Sequence, residues 1–207
     1  IENVITAKTF TPDKPADFTG GLVQISTVEF PDKFTSQMSI SSGFNTKTAF
    51  QDYSTYAGGK TDFLGVDDGT RDYPGLISSD KVVRGNYTDP QLQEITSGFA
   101  NNWNTTSKNA PINGSFKLNV GDKFELGDQD VMGYIASFSY ANTFVTTQKQ
   151  KNFYDFSGSR YDYDGNSYSS NVMWSGMLNL SYKLGLTNKI SLKNIYNQNA
   201  DDETTVY

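Results

Sequence analysis

Six tyrosines in two polar stretches, Tyr53, Tyr56, Tyr154, Tyr161, Tyr163 and Tyr168, are the side chains best suited to touch a ligand. Tyrosine carries an apolar ring and a hydroxyl on one stiff side chain, which suits stacking on a sugar or an aromatic chelator at a wet surface. The same property places tyrosine in any solvated loop, which is the competing reading. Asp162-Tyr163-Asp164-Gly165-Asn166 holds some of the oxygen ligands of a calcium loop. The helix–loop–helix calcium site wants Gly at its sixth position and Glu at its twelfth. Counted from Asp162, Gly165 is fourth and Met173 twelfth. The expectation is a tight turn at a loop tip, with Asp162 and Asp164 as a weak calcium pair. Asp67, Asp68 and Asp72 suit a cationic ligand or a solvated face. Gly20-Gly21 is followed by neither a lysine nor a helical pattern, so it reads as a structural turn rather than a phosphate cradle.

What is missing narrows the chemistry. The 207 residues include no Cys and no His. That excludes a thiolate nucleophile, a disulfide frame and a Cys-ligated zinc, and removes the commonest neutral-pH general base and metal ligand. No nucleophile–base pair and no metal triad is visible, so the expectation is a non-enzyme without a cofactor. A formal net charge of −6 argues against a nucleic-acid partner, which selects basic surfaces. No run of about 18 apolar residues is present, so no transmembrane helix is expected. Ile1-Glu2-Asn3 does not read as the start of a signal peptide.

The elements that must position these residues are strands. From Phe34 the even positions read Phe34, Ser36, Met38, Ile40, Ser42, Phe44, and the odd ones are polar or Gly throughout. This period-two pattern has the roughly 9–11 residues that a tilted membrane strand needs. Similar patterns run over Ala110 to Val120, over Met132 to Phe144, from Val172 to Leu184, and from Lys189 to about Gln198. In the fourth, Leu178 faces mid-bilayer lipid, and Asn179 faces a lumen where it should tolerate Arg. Phe34, Phe44, Tyr134, Phe144, Trp174 and Tyr182 fall where aromatic girdles would lie. A further short strand is expected over 18–27, opened by Gly20-Gly21, whose glycines permit positive φ. A helix is expected from Pro90 to Trp103, with Asp89 as its N-cap.

The connections alternate long (46–108), short (121–130), long (146–171) and short (185–188), after which another polar loop opens at 199–203. An up-and-down outer-membrane barrel sorts its connections this way, with long loops outside and short turns in the periplasm. The fold class is therefore all-β: a transmembrane antiparallel β-barrel portion of about five strands. Barrels close with at least about eight strands, so the chain is expected to be a fragment of a larger barrel.

Thr9-Phe10-Thr11-Pro12-Asp13-Lys14-Pro15-Ala16-Asp17-Phe18-Thr19-Gly20-Gly21-Leu22-Val23-Gln24-Ile25-Ser26-Thr27 resembles the end of the plug domain of TonB-dependent outer-membrane receptors of the Bacteroidetes type. Phe30-Pro31-Asp32-Lys33-Phe34 is similar to their plug-to-barrel crossing, and the stretch from Gly58 to Arg71 (GGKTDFLGVDDGTR) to their first long outer loop. Val28-Glu29 departs from the Lys or Arg that relatives often carry there. The resemblance implies a plug end over 1–31 and the first strands and outer loops of a barrel of about 22 strands over 32–207. It implies a transporter in the bacterial outer membrane that captures a scarce ligand outside and imports it with energy from TonB. TonB would be reached through a segment not present in this chain. Siderophore, glycan, peptide and vitamin are all ligand classes of that family. Outer-membrane lipid and an extracellular ligand or surface lipoprotein would be its partners. Two other readings stay open: a docking barrel subunit of an outer-membrane assembly, and a secreted β-rich binding protein.

Overall fold

The computed structural model describes residues 3–9, 12, 20–26, 30–77, 84–100, 102, 104–127 and 129–207. Among these, 60% lie in strands and 8% in helices, and the sheets are antiparallel. Strands β1 (Asn3–Ala7) and β2 (Leu22–Ser26) pair, with Asn3 opposite Ser26 and Ala7 opposite Leu22. Most of the segment that resembles a plug end lies outside the described residues. The main sheet has five strands in the order β3 (Thr35–Gly43), β6 (Asn113–Glu125), β7 (Val131–Asp155), β8 (Gly158–Leu184) and β9 (Asn188–Val206). It is open: no closed barrel is formed by the described residues. Between β3 and β6 the chain makes an excursion with its own two-stranded sheet, β4 (Asp52–Thr55) on β5 (Thr106–Asn109).

Several expectations are corrected here. The polar stretch 146–171 is not a loop. Strand β7 runs 25 residues and β8 runs 27, with a turn only at Phe156-Ser157. Asp155 Oδ1 accepts from the Ser157 N–H at 2.8 Å, and Gly158 takes φ 111°, so the hairpin closes within two residues. Residues 199–203, expected to open a loop, continue β9 through Val206. Hydrophobic alternation marks only the part of a strand with one apolar face. These far ends mix aromatic and polar residues without a period-two pattern, and the backbone ladder carries them without that signal.

Helix α1 (Asp89–Gly98) is shorter than expected. Its N-cap is Thr88, not Asp89; the Thr88 N–H donates to Gln91 Oε1 at 2.9 Å, one arm of a capping box. Asp89 and Pro90 then fill its first turn, where a proline lacks no needed N–H. The helix stops before Trp103, which lies outside the described residues. Gly21 leads directly into β2 and has no positive φ; positive-φ glycines are Gly65, Gly69, Gly158 and Gly185.

The chain divides into two compact units, each drawing on several strands. One holds residues 1–38, 117–138 and 176–196. In its strands β7 and β8, the odd positions are the more covered ones. A Cβ on Gly121 would stand 3.0 Å from the Tyr134 carbonyl and 3.1 Å from Pro31, and one on Gly133 would strike the Phe30 ring. Asn179 is 1% exposed and Ser181 is buried, its hydroxyl 3.0 Å from that of Ser191. The even positions Met132, Phe138, Leu178, Leu184, Ile190 and Leu192 are exposed. Asp130 holds the turns of this unit, accepting from the Gly185 N–H at 2.8 Å.

The other unit holds residues 39–116, 139–175 and 197–207. Here the even face is the covered one, because the excursion lies on it. Tyr53 at 3% exposure and Phe144 at 9% meet edge-on at 5.8 Å, beside the fully buried Ala110. Burial pushes the Tyr53 hydroxyl up to about 12. Phe144 is therefore an interior residue of this unit, not the girdle aromatic that the alternation suggested.

Candidate functional site

The unit of residues 39–116, 139–175 and 197–207 is where the tyrosines and acidic loop residues gather. Its most densely hydrogen-bonded loop is the segment 56–72. Gly59 N–H donates to Asp62 Oδ2 at 2.9 Å, and Lys60 N–H to Asp68 Oδ2 at 2.8 Å. A Cβ at Gly59 would come within 2.5 Å of the Asp68 carboxylate, so glycine is needed there for close approach rather than for φ. Arg71 grips Asp62 through both nitrogens, 2.8 Å each, and lies over the Tyr56 ring at 5.5 Å while donating to its hydroxyl at 3.0 Å. The guanidinium fork matches a carboxylate in this way, and a lysine cannot reproduce it. The Arg71 hydrogen bond holds the Asp62 carboxyl below its usual range.

Behind this clamp is a recess of about 230 Å³, lined by Tyr56, Asp62, Gly65, Val66, Asp67, Arg71, Ser170, Val172, Ala200, Asp201 and Asp202. Burial raises the Asp202 carboxyl, partly offset by a hydrogen bond from Tyr56. Four carboxylates and one guanidinium line the recess, and Arg71 itself is the cation that Asp62 and Asp67 hold. Of the loop acids Asp67, Asp68 and Asp72, Asp67 is in contact with Arg71 at 3.3 Å, and Asp62, which the sequence did not single out, is held at 2.8 Å.

A second, wider groove of about 750 Å³ is lined by Thr46, Lys47, Gln51, Asp52, Thr146, Thr147, Gln148, Asn166 and Tyr168. Its single cation and single anion cancel, and the rest are hydroxyls, amides and one ring. Such a lining can exchange hydrogen bonds with a neutral polar ligand. The Thr146 hydroxyl is buried and without a hydrogen-bond partner among the described residues.

The six tyrosines do not form one site. Tyr53 belongs to the core, and Tyr168 packs edge-on against it at 5.3 Å while lining the neutral groove. Tyr56 is the wall of the acidic recess. Tyr161 and Tyr163 stand on the odd face of β8 in a row with Phe153 and Tyr207: Phe153–Tyr161 5.6 Å, Tyr161–Tyr163 5.4 Å, Tyr163–Tyr207 6.1 Å between centroids. Neighbouring planes differ by 20° from Phe153 to Tyr161 and by 28° from Tyr161 to Tyr163, so these three rings step along the strands as a staircase. Tyr154 points to the other face and is exposed. Asp162 and Asp164 lie within β8, not at a loop tip, and no group of three carboxylates that could hold a metal occurs among the described residues.

Of the remaining girdle candidates, Phe34 and Phe44 flank β3 and are exposed. Tyr134 stacks on Phe124 at 6.2 Å, and Tyr182 reaches Asp130 at 3.4 Å. Trp174 donates its indole N–H to the Leu64 carbonyl at 2.8 Å, so its polar edge is taken by the chain rather than by an interface. Arg71 and Asp202 were missed as site residues. Arg71 is the only arginine in an acid-rich stretch, a signal that could have named it, but nothing in the sequence brings Asp202 beside it. Comparison of the chain with protein-family models, curated proteins and solved structures returns no match in any of the three.

Proposed function

We propose that this chain is part of a TonB-dependent outer-membrane active transporter, with the unit of residues 39–116, 139–175 and 197–207 as its outer unit, facing the medium. The observation that carries the reading is an inverted alternation. In the unit holding the short turns, the exposed side chains are Leu178, Ile190 and Leu192, and the buried ones are Asn179 and Ser181. A sheet folding in water buries the leucines. A barrel wall turns them to lipid and keeps polar groups inside. The resemblance of residues 9–27, 30–34 and 58–71 to the plug end, crossing and first outer loop of such receptors supports the same reading. The open edges of the sheet would then continue into further strands, since unpaired backbone in lipid costs several kcal/mol per group.

In this reading the ligand meets the outer unit first. The neutral groove and the acidic recess are its two candidate contacts, and plug movement driven by TonB completes import. The aromatic row from Phe153 to Tyr207 favours a second reading, a docking subunit of an outer-membrane assembly, because exposed aromatics suit a protein interface. The test is fractionation of source cells. The transporter and docking readings both require the chain in outer membranes, released only by detergent, in a polypeptide several times its mass. Release by salt alone would overturn both and leave a secreted binding protein. Ligand uptake that stops when TonB is deleted separates transport from docking.

A further inference from the structure

We propose that the segment Asp62–Gly65 is a register gauge for the outer ends of β7, β8 and β9. Three consecutive carbonyls of this segment are read by three consecutive strands. Tyr140 of β7 donates its hydroxyl to the Phe63 carbonyl at 2.8 Å. Trp174 of β8 donates its indole N–H to the Leu64 carbonyl at 2.8 Å. Gln198 of β9 donates its amide to the Gly65 carbonyl at 2.6 Å. All three donors occupy even positions, on one face of the sheet.

The two-residue turn at 156–157 sets the β7–β8 register at its tip, and the three donors stand where the two-faced stretches give way to the polar ends of the strands. Register is strongly specified where one face is apolar and buried, and weakly where both faces are polar. Residues 146–171 of β7 and β8 and 199–205 of β9 are largely of the second kind. A slip of one residue would turn Trp174 or Gln198 onto the opposite face. A slip of two would carry the donor roughly 7 Å along the strand, beyond reach of its carbonyl. The dock therefore forms only when all three strands are in register together.

The segment fits closely into this seat. Gly65 takes φ 65°, and a Cβ there would lie 2.7 Å from that of Ala200 on β9. Arg71 and Asp62 hold the rest of the loop in the shape that presents the three carbonyls. The gauge concerns the sheet itself and does not depend on whether the chain transports anything.

The experiment uses the full-length protein refolded in phosphatidylcholine vesicles. The chain has no cysteine, so introduced pairs are the only thiols within it. Ser139→Cys with Ser175→Cys reports β7–β8 register, since the two hydroxyls are 2.7 Å apart. Asn171→Cys with Asn199→Cys reports β8–β9, where amide meets carbonyl at 2.9 Å. Each pair is oxidised in the parent and after removal of the donors by Tyr140→Phe, Trp174→Phe and Gln198→Leu. Trypsin cleavage after Lys60 and Arg71 reports the dock. The expected result is cleavage faster by roughly tenfold or more, three hydrogen bonds having been lost, together with a fall of at least about half in both disulfide yields. If the triple variant fails to refold, Gly65→Leu undocks the segment with every donor in place, and the same two falls are expected. Faster cleavage with unchanged disulfide yields would make the segment a passive cover and overturn the proposal. Unchanged cleavage would overturn it as well, because the dock would not be what holds the segment.

Discussion

Leu178→Arg measures whether the even face of the inner unit meets lipid. Leu178 is 42% exposed and lies four residues from Trp174 on one side and four from Tyr182 on the other. At about 3.3 Å per residue, each of those positions is about 13 Å away along the strand. With a tilt near 45° that is about 9 Å along a membrane normal, which keeps Leu178 well inside an apolar band about 25 Å tall. Arginine at that depth costs about 2–4 kcal/mol. On a sheet in water the same exposed position would change stability by about 0.5 kcal/mol or less. The gap between the two outcomes is at least about 1.5 kcal/mol, more than tenfold in the folding equilibrium. The assay is urea titration of the full-length protein in phosphatidylcholine vesicles, following the heat-sensitive mobility of the folded barrel on gels. Leu192→Arg on β9 repeats the measurement on a neighbouring strand. A shift of about 0.5 kcal/mol or less at both positions would refute the lipid-facing assignment and the transporter reading with it.

Asn179→Arg, tolerable in an open lumen, is expected to destabilise by about 1–3 kcal/mol in the same titration, because Asn179 is buried and a larger side chain overpacks its site. Phe144→Ala should cost about 3–5 kcal/mol and be felt in the outer unit, as loss of hydrogen-exchange protection over 52–55 and 106–109, because it empties the space beside Tyr53. Arg71→Lys should cost about 1 kcal/mol or less, since the clamp is partly exposed, yet speed trypsin cleavage within 60–71 because the bidentate grip and ring contact are gone. Glu203, on the part of β9 beyond the apolar span, accepts from Lys149 first and from Ser167, which holds its carboxyl down at about 2. A depressed carboxylate stabilises above its ordinary value and loses that contribution as it is protonated. Exchange protection at the outer ends of β7–β9 should therefore fall as pH drops from about 4.5 towards 2, and Glu203→Gln should remove that dependence.

Several elements were legible because their signal is local. The alternation from Phe34 to Phe44 foretold β3 to within a residue or two, and Val172 to Leu184 foretold the inner end of β8. The turn at Gly185 was visible as a glycine between two alternating runs. The pairing of β4 with β5 was not, since four polar residues on each side carry no pattern, and their partner is about fifty residues away. The hairpin tip at Asp155-Phe156-Ser157-Gly158 had a usable signal, an Asp able to cap and a Gly able to take positive φ. It does not stand out because the flanking residues mix aromatic and polar side chains without alternation.

The tyrosines mark the same divide. Their number and polar neighbours announced a wet aromatic surface, and the row of Phe153, Tyr161, Tyr163 and Tyr207 is one. That Tyr53 is core, Tyr56 a recess wall and Tyr168 a groove lining depends on where the excursion lies. What residue order alone determined is the all-β character and the two-faced inner strands, because period two is a property of neighbouring residues. Which outer face is covered, and that Trp174, Phe144 and Arg71 are committed inside the chain, was decided by the excursion 44–112 docking onto even positions of β7, β8 and β9. Those contacts join residues up to 133 positions apart, and no local pattern encodes a distance of that kind.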